Sequence, residues 1–516
     1  MDDSFKKVPI NVPRLSGFDK SFQNLLTTMP GSITPVLVDE LIPGSKCNVT
    51  MAISASLPPL ASDTFMRCSV KCEAFFVPFR LLSGGFENWF TDTKAEWFDS
   101  VNSVQRSTEA LLPTFGSFSS ADAASLASGG YFDPGSLADY LGMRTVDAAN
   151  VLNSREFTLM PFLAYHKIYE DWYRNSLVQN PCFARPMTGE SADAPYSYQQ
   201  FAGTAPYFYH RPNYYNISTL AMLRLADGQS VFALRQRNFG LDYFTTATPD
   251  VQQGTASTVS ISGSPGQFSI AALRAANSLQ QFKERNNIAG NLYVEQLYAR
   301  YGVRPSDGVA QRTLYLGNAE FECYSKGVFE TGSNSSASNN PFNSQIGAQF
   351  GHARATGQEN IVSNFEAKEP GYLMVMATLV PRVTYSSGID RRFMHYVGNG
   401  SLTDLANPIL QSVGPQPIYR SELIGDGNTT VFGYTDRYAE FKTKYDELHG
   451  LVRDGQSLQA FALQRSWPFN GTPSINSAFL KIPTNYLDQV TNVSTAVSMF
   501  GCWMDCYFNY KVAQQL

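Results

Sequence analysis

A mainly β fold, a sandwich or jelly roll with long helical and loop insertions, is what this sequence predicts, and three stretches predict it. From Lys46 to Leu57 the residues alternate strictly, with Cys47, Val49, Met51, Ile53, Ala55 and Leu57 in one phase and Lys46, Asn48, Thr50, Ala52, Ser54 and Ser56 in the other. Met66 to Phe76 repeats the pattern, with Met66, Cys68, Val70, Cys72, Ala74 and Phe76 against Arg67, Ser69, Lys71, Glu73 and Phe75. Near the end, in GCWMDCYFNYK, Cys502, Met504, Cys506, Phe508 and Tyr510 alternate with Trp503, Asp505, Tyr507, Asn509 and Lys511. A period of two marks a strand with one wet face. The first two strands, joined by the turn-rich PPLASDT, are expected to pair over an apolar layer, and the last to close the sandwich across the full chain.

Residues 1 to 32 carry Lys6, Lys7, Arg14 and Lys20 with Pro9, Pro13 and Pro30 and little periodicity, which reads as an extended N-terminal arm. Residues 33 to 516 then read as one elaborated domain, with helical and loop insertions over about 84–320. VPFRLLSGGFENWF breaks at Pro78 and Gly84-Gly85 and runs into a short aromatic helix around Trp89, and a Ser, Ala and Gly-rich surface excursion follows from Ser100 to Gly130. The clearest helix starts at Pro161, with Phe162, Tyr165, Tyr169, Trp172 and Tyr173 at helical spacing and the pairs Lys167/Asp171 and Glu170/Arg174 placed on its wet side. Residues 181 to 235 include PYSYQQFAGTAPYFYHRPNYYN, too irregular for a regular element and too aromatic for a linker. This predicts a packed loop or contact surface, with Tyr207, Tyr209, Tyr214 and Tyr215 as outer-surface or intersubunit candidates. Ile270 to Tyr301 predicts two helices: Leu273, Ala276, Leu279 and Phe282 form one apolar stripe, Asn286, Asn287 and Gly290 interrupt, and Val294, Leu297, Tyr298 and Tyr301 form the second. By composition, 325–360 is a Ser/Asn/Gly surface loop, after which Tyr372 to Val380 returns to strand and TYSSG turns.

Charged residues make up 16% of the chain against a usual share of about 25%. Aromatics reach 13%, which suits a chain that buries broad surface in a large core or against partners. A net charge of -5 argues against a dedicated nucleic-acid binder. The longest apolar run, YLMVMATLV, is about half of what a membrane helix needs, so no membrane insertion is expected. The opening MDDSFKKVPI has acids first and no apolar h-region, which predicts folding in a cytoplasm without a secretory signal. Of seven cysteines, Cys47, Cys68, Cys72, Cys502 and Cys506 lie on apolar phases and read as buried core thiols.

Chemistry is hard to find. His166 stands one helical turn before Glu170, a spacing that suits a metal, yet no third ligand is near and a packed histidine is the better reading. There is no H-E-x-x-H, no G-x-S-x-G, no phosphate loop and no dinucleotide fingerprint, and the Gly425–Gly427 GDG reads as a turn. No catalytic residue, metal or cofactor is therefore expected. Basic residues beside aromatics are the remaining candidates: Arg391-Arg392-Phe393, Arg300 to Arg304 with Tyr301, and the arm with Lys6, Lys7, Arg14 and Lys20. Their bland reading is solvated surface charge or intersubunit ion pairs.

Eight segments occur in the order found in one family: TPVLVDELIPGSKCNVTMAISASL, FMRCSVKCEAFFVPFRLL, GSLADYLG, PFLAYHKIYEDWYRNSLVQNP, NFGLDYFTTATPDVQQG, LRAANSLQQFKERNNIAGNLYVEQLYARYGVRPSDGVAQRTLYLGNAEF, EPGYLMVMATLVPRVTYSSGIDRRF and YAEFKTKYDELHGLVR. The chain resembles the major capsid proteins of microviruses, the gokushovirus-like group of small single-stranded DNA phages, over most of Gly17 to Arg453. The resemblance implies a viral jelly roll that self-assembles into a T=1 icosahedral shell around circular single-stranded DNA, formed in the bacterial cytoplasm. Further implied partners are a small basic DNA-binding protein, other phage structural proteins and a host surface receptor. On this reading Lys6, Lys7, Arg14, Lys20, Arg391 and Arg392 are the DNA-facing or interior candidates. In the family a large insertion before the segment matching LRAANSLQQF builds a protrusion at the threefold axes. Here only Thr255 to Ile270 fills that place, so the Tyr-rich loop from Cys182 to Arg235 is expected to supply outer decoration instead. The family's arginine- and proline-bearing tail after the last strand is also replaced here by KVAQQL. The alternative is a bacterial carbohydrate-binding or adhesive β-sandwich, in which exposed Tyr and Trp stack on sugars. A glycoside hydrolase on a sandwich is a third reading, for which no carboxylate pair is nominated.

Overall fold

The computed structural model describes residues 15–61, 64–83, 86–90, 95–99, 104–108, 112–116, 119–143, 147–183, 196–199, 207–210, 216–217, 225, 227–252, 270–289, 295, 297–298, 301–302, 304, 306–309, 311–329, 349–395, 414–425, 429–465, 473–491 and 500–513. In chain order the strands begin with β1 (Leu15–Asp19), β2 (Phe22–Thr28), β3 (Thr34–Leu41), β4 (Lys46–Ser56) and β5 (Cys68–Pro78). Seven short strands follow: β6 (Ala95–Asp99), β7 (Val104–Thr108), β8 (Thr114–Gly116), β9 (Glu156–Thr158), β10 (Tyr196–Gln199), β11 (Tyr207–His210) and β12 (Asn216–Ile217). Then come β13 (Leu314–Phe329), β14 (Gln349–Glu366), β15 (Gly371–Pro381), β16 (Gln416–Tyr419), β17 (Val431–Thr435) and β18 (Phe500–Ala513).

The principal sheet runs β1-β18-β4-β14-β13-β5-β15-β3, with β2 also on β18, and every pairing is antiparallel. Its two outer strands meet through side chains. Asn24 Nδ2 donates to the Val36 carbonyl at 3.0 Å, the Thr28 and Thr34 hydroxyls stand 2.6 Å apart, and Lys20 pairs with Asp39. These contacts bring the β2 and β3 edges of the curled sheet together. With its helical insertions it is the jelly roll that the alternating strands predict.

The alternation is obeyed closely. β4 buries Cys47, Val49, Met51, Ile53 and Ala55 and turns its other phase outward. β18 does the same with Met504, Cys506, Phe508, Tyr510 and Val512. Burial pushes the Cys47 and Cys506 thiols up to about 12, so they stay protonated, as core thiols should. The founding strands do not pair with each other, because β14 and β13 lie between them. Both still feed one inner cluster, which takes Phe321 and Ala355 from the intervening hairpin.

β15 is buried on both faces. Leu373, Val375, Ala377 and Leu379 enter the inner cluster, while Tyr372, Met374 and Met376 enter a second one. That second cluster is made by helices laid over the β5-β15-β3 end of the sheet: α1 (Phe86–Phe90) beside it, then α2 (Ser120–Ser128), α3 (Leu137–Tyr140), α4 (Ala148–Ser154) and α5 (Met160–Ile168). Serine or aspartate caps start three of them: Ser119 accepts from the Asp122 amide, Ser136 from that of Asp139, and Asp147 from that of Asn150. A two-sided strand needs a continuous apolar run, which is what YLMVMATLV provides.

Four expectations change. The arm is part of the sheet from Leu15 onward, since β1 and β2 pair with β18; Lys6, Lys7 and Arg14 lie outside the described residues. The 325–360 loop is strand at both ends, in β13 up to Phe329 and in β14 from Gln349, and β13 already begins at Leu314, inside the span expected to be insertion. The Tyr-rich region forms a β10-β11 hairpin and the short β12, so Tyr207 and Tyr209 sit in a strand; Tyr214 and Tyr215 lie outside the described residues. The Asn286-Asn287 interruption is absent, as α6 (Ile270–Ala289) runs through it and stops before Gly290.

Candidate assembly and genome-facing surfaces

The aromatic helix sets the geometry of the outer layer. Pro161 sits in the first turn of α5, where its missing N–H costs nothing. The helix then widens into a π turn over Tyr169–Tyr173, closed by the Arg174 amide on the Tyr169 carbonyl at 3.0 Å. Its two i,i+4 pairs are not wet. Lys167 and Asp171 meet at 2.7 Å with side chains 9% and 10% exposed, and Arg174 and Glu170 at 2.9 Å with 5% and 12%. The reason is that distant segments cover them. Asp171 also accepts from the Thr313 amide at 3.0 Å, Glu170 accepts from the Cys182 amide at 2.7 Å, and the Arg312 guanidinium lies 3.6 Å over the Trp172 ring.

His166 is a packed histidine. Its Nε2 donates to the Val231 carbonyl at 2.6 Å, and its Nδ1 accepts from Arg235 Nε at 3.0 Å. Burial, and then the Arg235 cation, hold it well below the ordinary imidazole range, so the ring is neutral. Arg235 continues to Asp227 at 2.5 Å and stacks over Tyr169, while its backbone amide donates to the Tyr165 hydroxyl, which in turn donates to the Ile33 carbonyl. This buried network ties α5 to the start of β3. A charge buried with this many partners fixes geometry; an unpaired one would be costly.

The basic candidates fare differently. Lys20 pairs with Asp39 and lies over Phe508 and Tyr510, 5.4 and 5.2 Å from the ring centres. Arg391 is 15% exposed and bonds Glu422 at 3.0 Å and the Pro417 carbonyl at 2.7 Å. Both cations already have anionic partners in their own chain, and Arg391 is folded inward. Arg392, at 70% exposure, faces solvent and is paired with Asp390 at 2.7 Å. Arg304 stacks over Tyr298, 4.3 Å from the ring centre.

A groove of about 910 Å³ crosses the wet face of β5 and β13, lined among others by Phe65, Arg67, Lys71, Tyr324, Arg382 and Lys444. Sequence reading missed it, because its residues come from five separated segments. Two of its cations are ion-paired, Lys71 with Glu320 at 3.1 Å and Arg382 with Asp446 at 2.5 Å, and Asp242 and Glu322 in the lining balance Arg67 and Lys444 in number. Matched charges do not make a phosphate channel, which needs unneutralised Lys and Arg. Among the described residues, no group of three or more His, Cys, Asp and Glu stands close enough to hold a metal ion, and no helix is long and apolar enough to cross a membrane.

The most exposed apolar helix is α6. Ile270, Leu273, Leu279, Phe282 and Ile288 are between 44% and 69% exposed, and Asn287 is its only side chain described as buried. The expected single stripe fails for a geometric reason. Steps of three residues fall short of a full turn by about 60°, so Leu273 and Phe282 come out on opposite sides of the helix. On the sheet, Leu25 of β2 at 81% and Tyr507 of β18 at 44% add apolar surface on the outward phase.

Comparison with known proteins identifies the family. Capsid protein VP1 of Chlamydia phage 1 is 25% identical over 611 aligned positions, covering 99% of this chain and 96% of the relative. The VP1 capsid proteins of Bdellovibrio phage phiMH2K and Spiroplasma virus 4 are 25% and 23% identical, each over 93% of this chain and 90% of theirs. A family model described as "Capsid protein (F protein)" matches residues 7–267 and 262–516, and with that match on a jelly roll the chain belongs to this family of phage capsid proteins.

Proposed function

We propose that this capsid protein is the repeated unit of a T=1 icosahedral shell that encloses circular single-stranded DNA and is assembled in the cytoplasm of a bacterial host. The observation that carries the reading is the eight-segment resemblance to microvirus major capsid proteins, now laid out along a curled antiparallel sheet and its helical cover. Residues 33–516 act as one capsid domain, and the residues 1–32 before it serve as its N-terminal arm. DNA contact falls to Lys6, Lys7 and Arg14 of that arm, with Arg392, exposed but paired with Asp390, as a secondary candidate; Lys20 and Arg391 serve the fold. A chain of net charge -5 cannot neutralise a packaged genome alone, so a small basic protein or polyamines complete the neutralisation. The Tyr-rich β10-β11 hairpin, with Tyr207 and Tyr209, and the neighbouring Tyr214 and Tyr215, forms the outer decoration that meets other structural proteins and the host receptor.

Sedimentation of the expressed protein, with negative-stain microscopy of the fast fraction, tests the shell. Hollow icosahedral particles or pentamer-sized assemblies support it; a monomer that stays unassembled with the phage's other structural proteins present rejects it. Charge reversal at Lys6, Lys7 and Arg14 then tests the arm, with nuclease-protected DNA per particle as the readout, and undiminished protection removes the arm from the account.

A further inference from the structure

We propose that α6 is an assembly helix, buried against a second copy of this chain in the shell; the inference rests on the shell reading above. Three observations converge on it. First, the apolar residues of α6 are not confined to one side. Ile270 and Ile288 lie about five turns apart on one line of the helix, while Leu273 and Leu279 fall on two further lines about 120° apart. Arg274, Gln281, Lys283 and Arg285 lie between these lines, yet the four large apolar side chains are 69%, 51%, 47% and 48% exposed, and exposed apolar side chains grouped on one element mark an interaction surface. Second, α6 contributes to none of the three apolar clusters found among the described residues. Polar contacts tie it to the chain: Asn287 Nδ2 donates to the Asp250 carbonyl at 2.5 Å, and Gln280 meets Gln252. Along its length of about 30 Å the helix thus holds Ile270, Leu273, Leu279 and Ile288 outward.

Third, the choice of occupant follows from chemistry and from the assembly. Single-stranded DNA is held by cations along its backbone and by aromatic rings under its bases. Ile and Leu provide neither. Interface cores between proteins are apolar and depleted in charge, which is what these positions offer. A capsid protein meets copies of itself on every side, and a closed shell repeats each contact for every subunit. A 20-residue helix meeting a different surface on the next copy is a heterologous contact of the kind that closes into rings.

The double variant Leu273→Glu/Leu279→Glu tests the proposal in the full chain. The expected result is at least a tenfold loss of sedimenting shells with an unchanged thermal unfolding midpoint of the unassembled protein. Shells at wild-type yield overturn the proposal, and so does a lowered midpoint, which would mean that the chain itself covers the helix. Photo-crosslinking supplies a second measurement. With a benzophenone amino acid in place of Leu279, illumination of assembled shells is expected to give covalent dimers of the chain; adducts confined within one chain, or to DNA, overturn the assignment. Failure of the unmodified protein to assemble would instead count against the shell reading, so the two failures are told apart.

Discussion

α5 and α6 reverse the distribution of residues expected of a surface helix, in opposite senses. α5 buries eight of its nine residues, charged Lys167 and neutral His166 included, because Arg235 and Asp227 arrive from a distant part of the chain to partner it and Thr313 and Cys182 to partner the π turn that continues it. α6 leaves Ile270, Leu273, Leu279 and Ile288 in water. The difference teaches where each helix completes itself. α5 is finished within the subunit and belongs to its stability; α6 is unfinished there and belongs to the assembly.

If that division holds, damage to the α5 network is felt by the isolated chain, and most strongly at Arg235. Arg235→Met leaves the Asp227 carboxylate, at 12% exposure, without its cation and His166 Nδ1 without a donor. Breaking a buried pair in this way costs about 3–5 kcal/mol. Denaturant unfolding of the unassembled protein should show the loss, or soluble protein should not accumulate; a change under about 1 kcal/mol would mean that the network is not what holds α5. Leu163→Ala, in the apolar half of the same helix, should cost about 2–5 kcal/mol by cavity formation, read on the same curve.

A smaller effect is tied to pH. The folded pKa of His166 is depressed below its unfolded value of about 6.5, so the unfolded chain takes up the proton first. The stability due to the neutral ring is present in full above about pH 6.5 and is lost as pH falls below it, by up to about 1.4 kcal/mol per pH unit for this one group. His166→Gln should flatten the stability profile between pH 6.5 and 5 relative to wild type. Equal slopes in the two proteins would assign the acid sensitivity to other groups.

The same contrast explains what could be read from the sequence. β4, β18 and β15 were legible because their inward phases are bulky and apolar and the chain states its own period. The β13-β14 hairpin was not, because β14 faces the core with Gly351, Ala353 and Ala355, residues that carry little hydrophobic signal. Across the hairpin they face Gly327, Ser325 and Cys323, which are small as well; further along, a large partner sets the size, since a Cβ on Gly357 would stand 2.6 Å from the Phe321 ring. Small-against-large packing is a property of two strands together, invisible in either one. The wet side assigned to Lys167 and Asp171 failed for a related reason, since Thr313, which covers them, lies more than a hundred residues away. Of the surface candidates, Arg391 and Lys20 looked like free cations because Glu422 and Asp39 are likewise remote in sequence.

The smallest expected effect is the sharpest test of the comparison. Leu279→Ala removes as many carbons from α6 as Leu163→Ala removes from α5, and alanine is if anything the better helix former. With its side chain 48% exposed and outside every described apolar cluster, Leu279 leaves no cavity when truncated. The isolated chain should therefore change by no more than about 0.5 kcal/mol, as exposed positions do. The concentration needed for shell formation should nevertheless rise, because each subunit would lose the same apolar contact. A destabilised monomer with unaltered assembly would invert the assignment and make α6, like α5, a helix completed by its own chain.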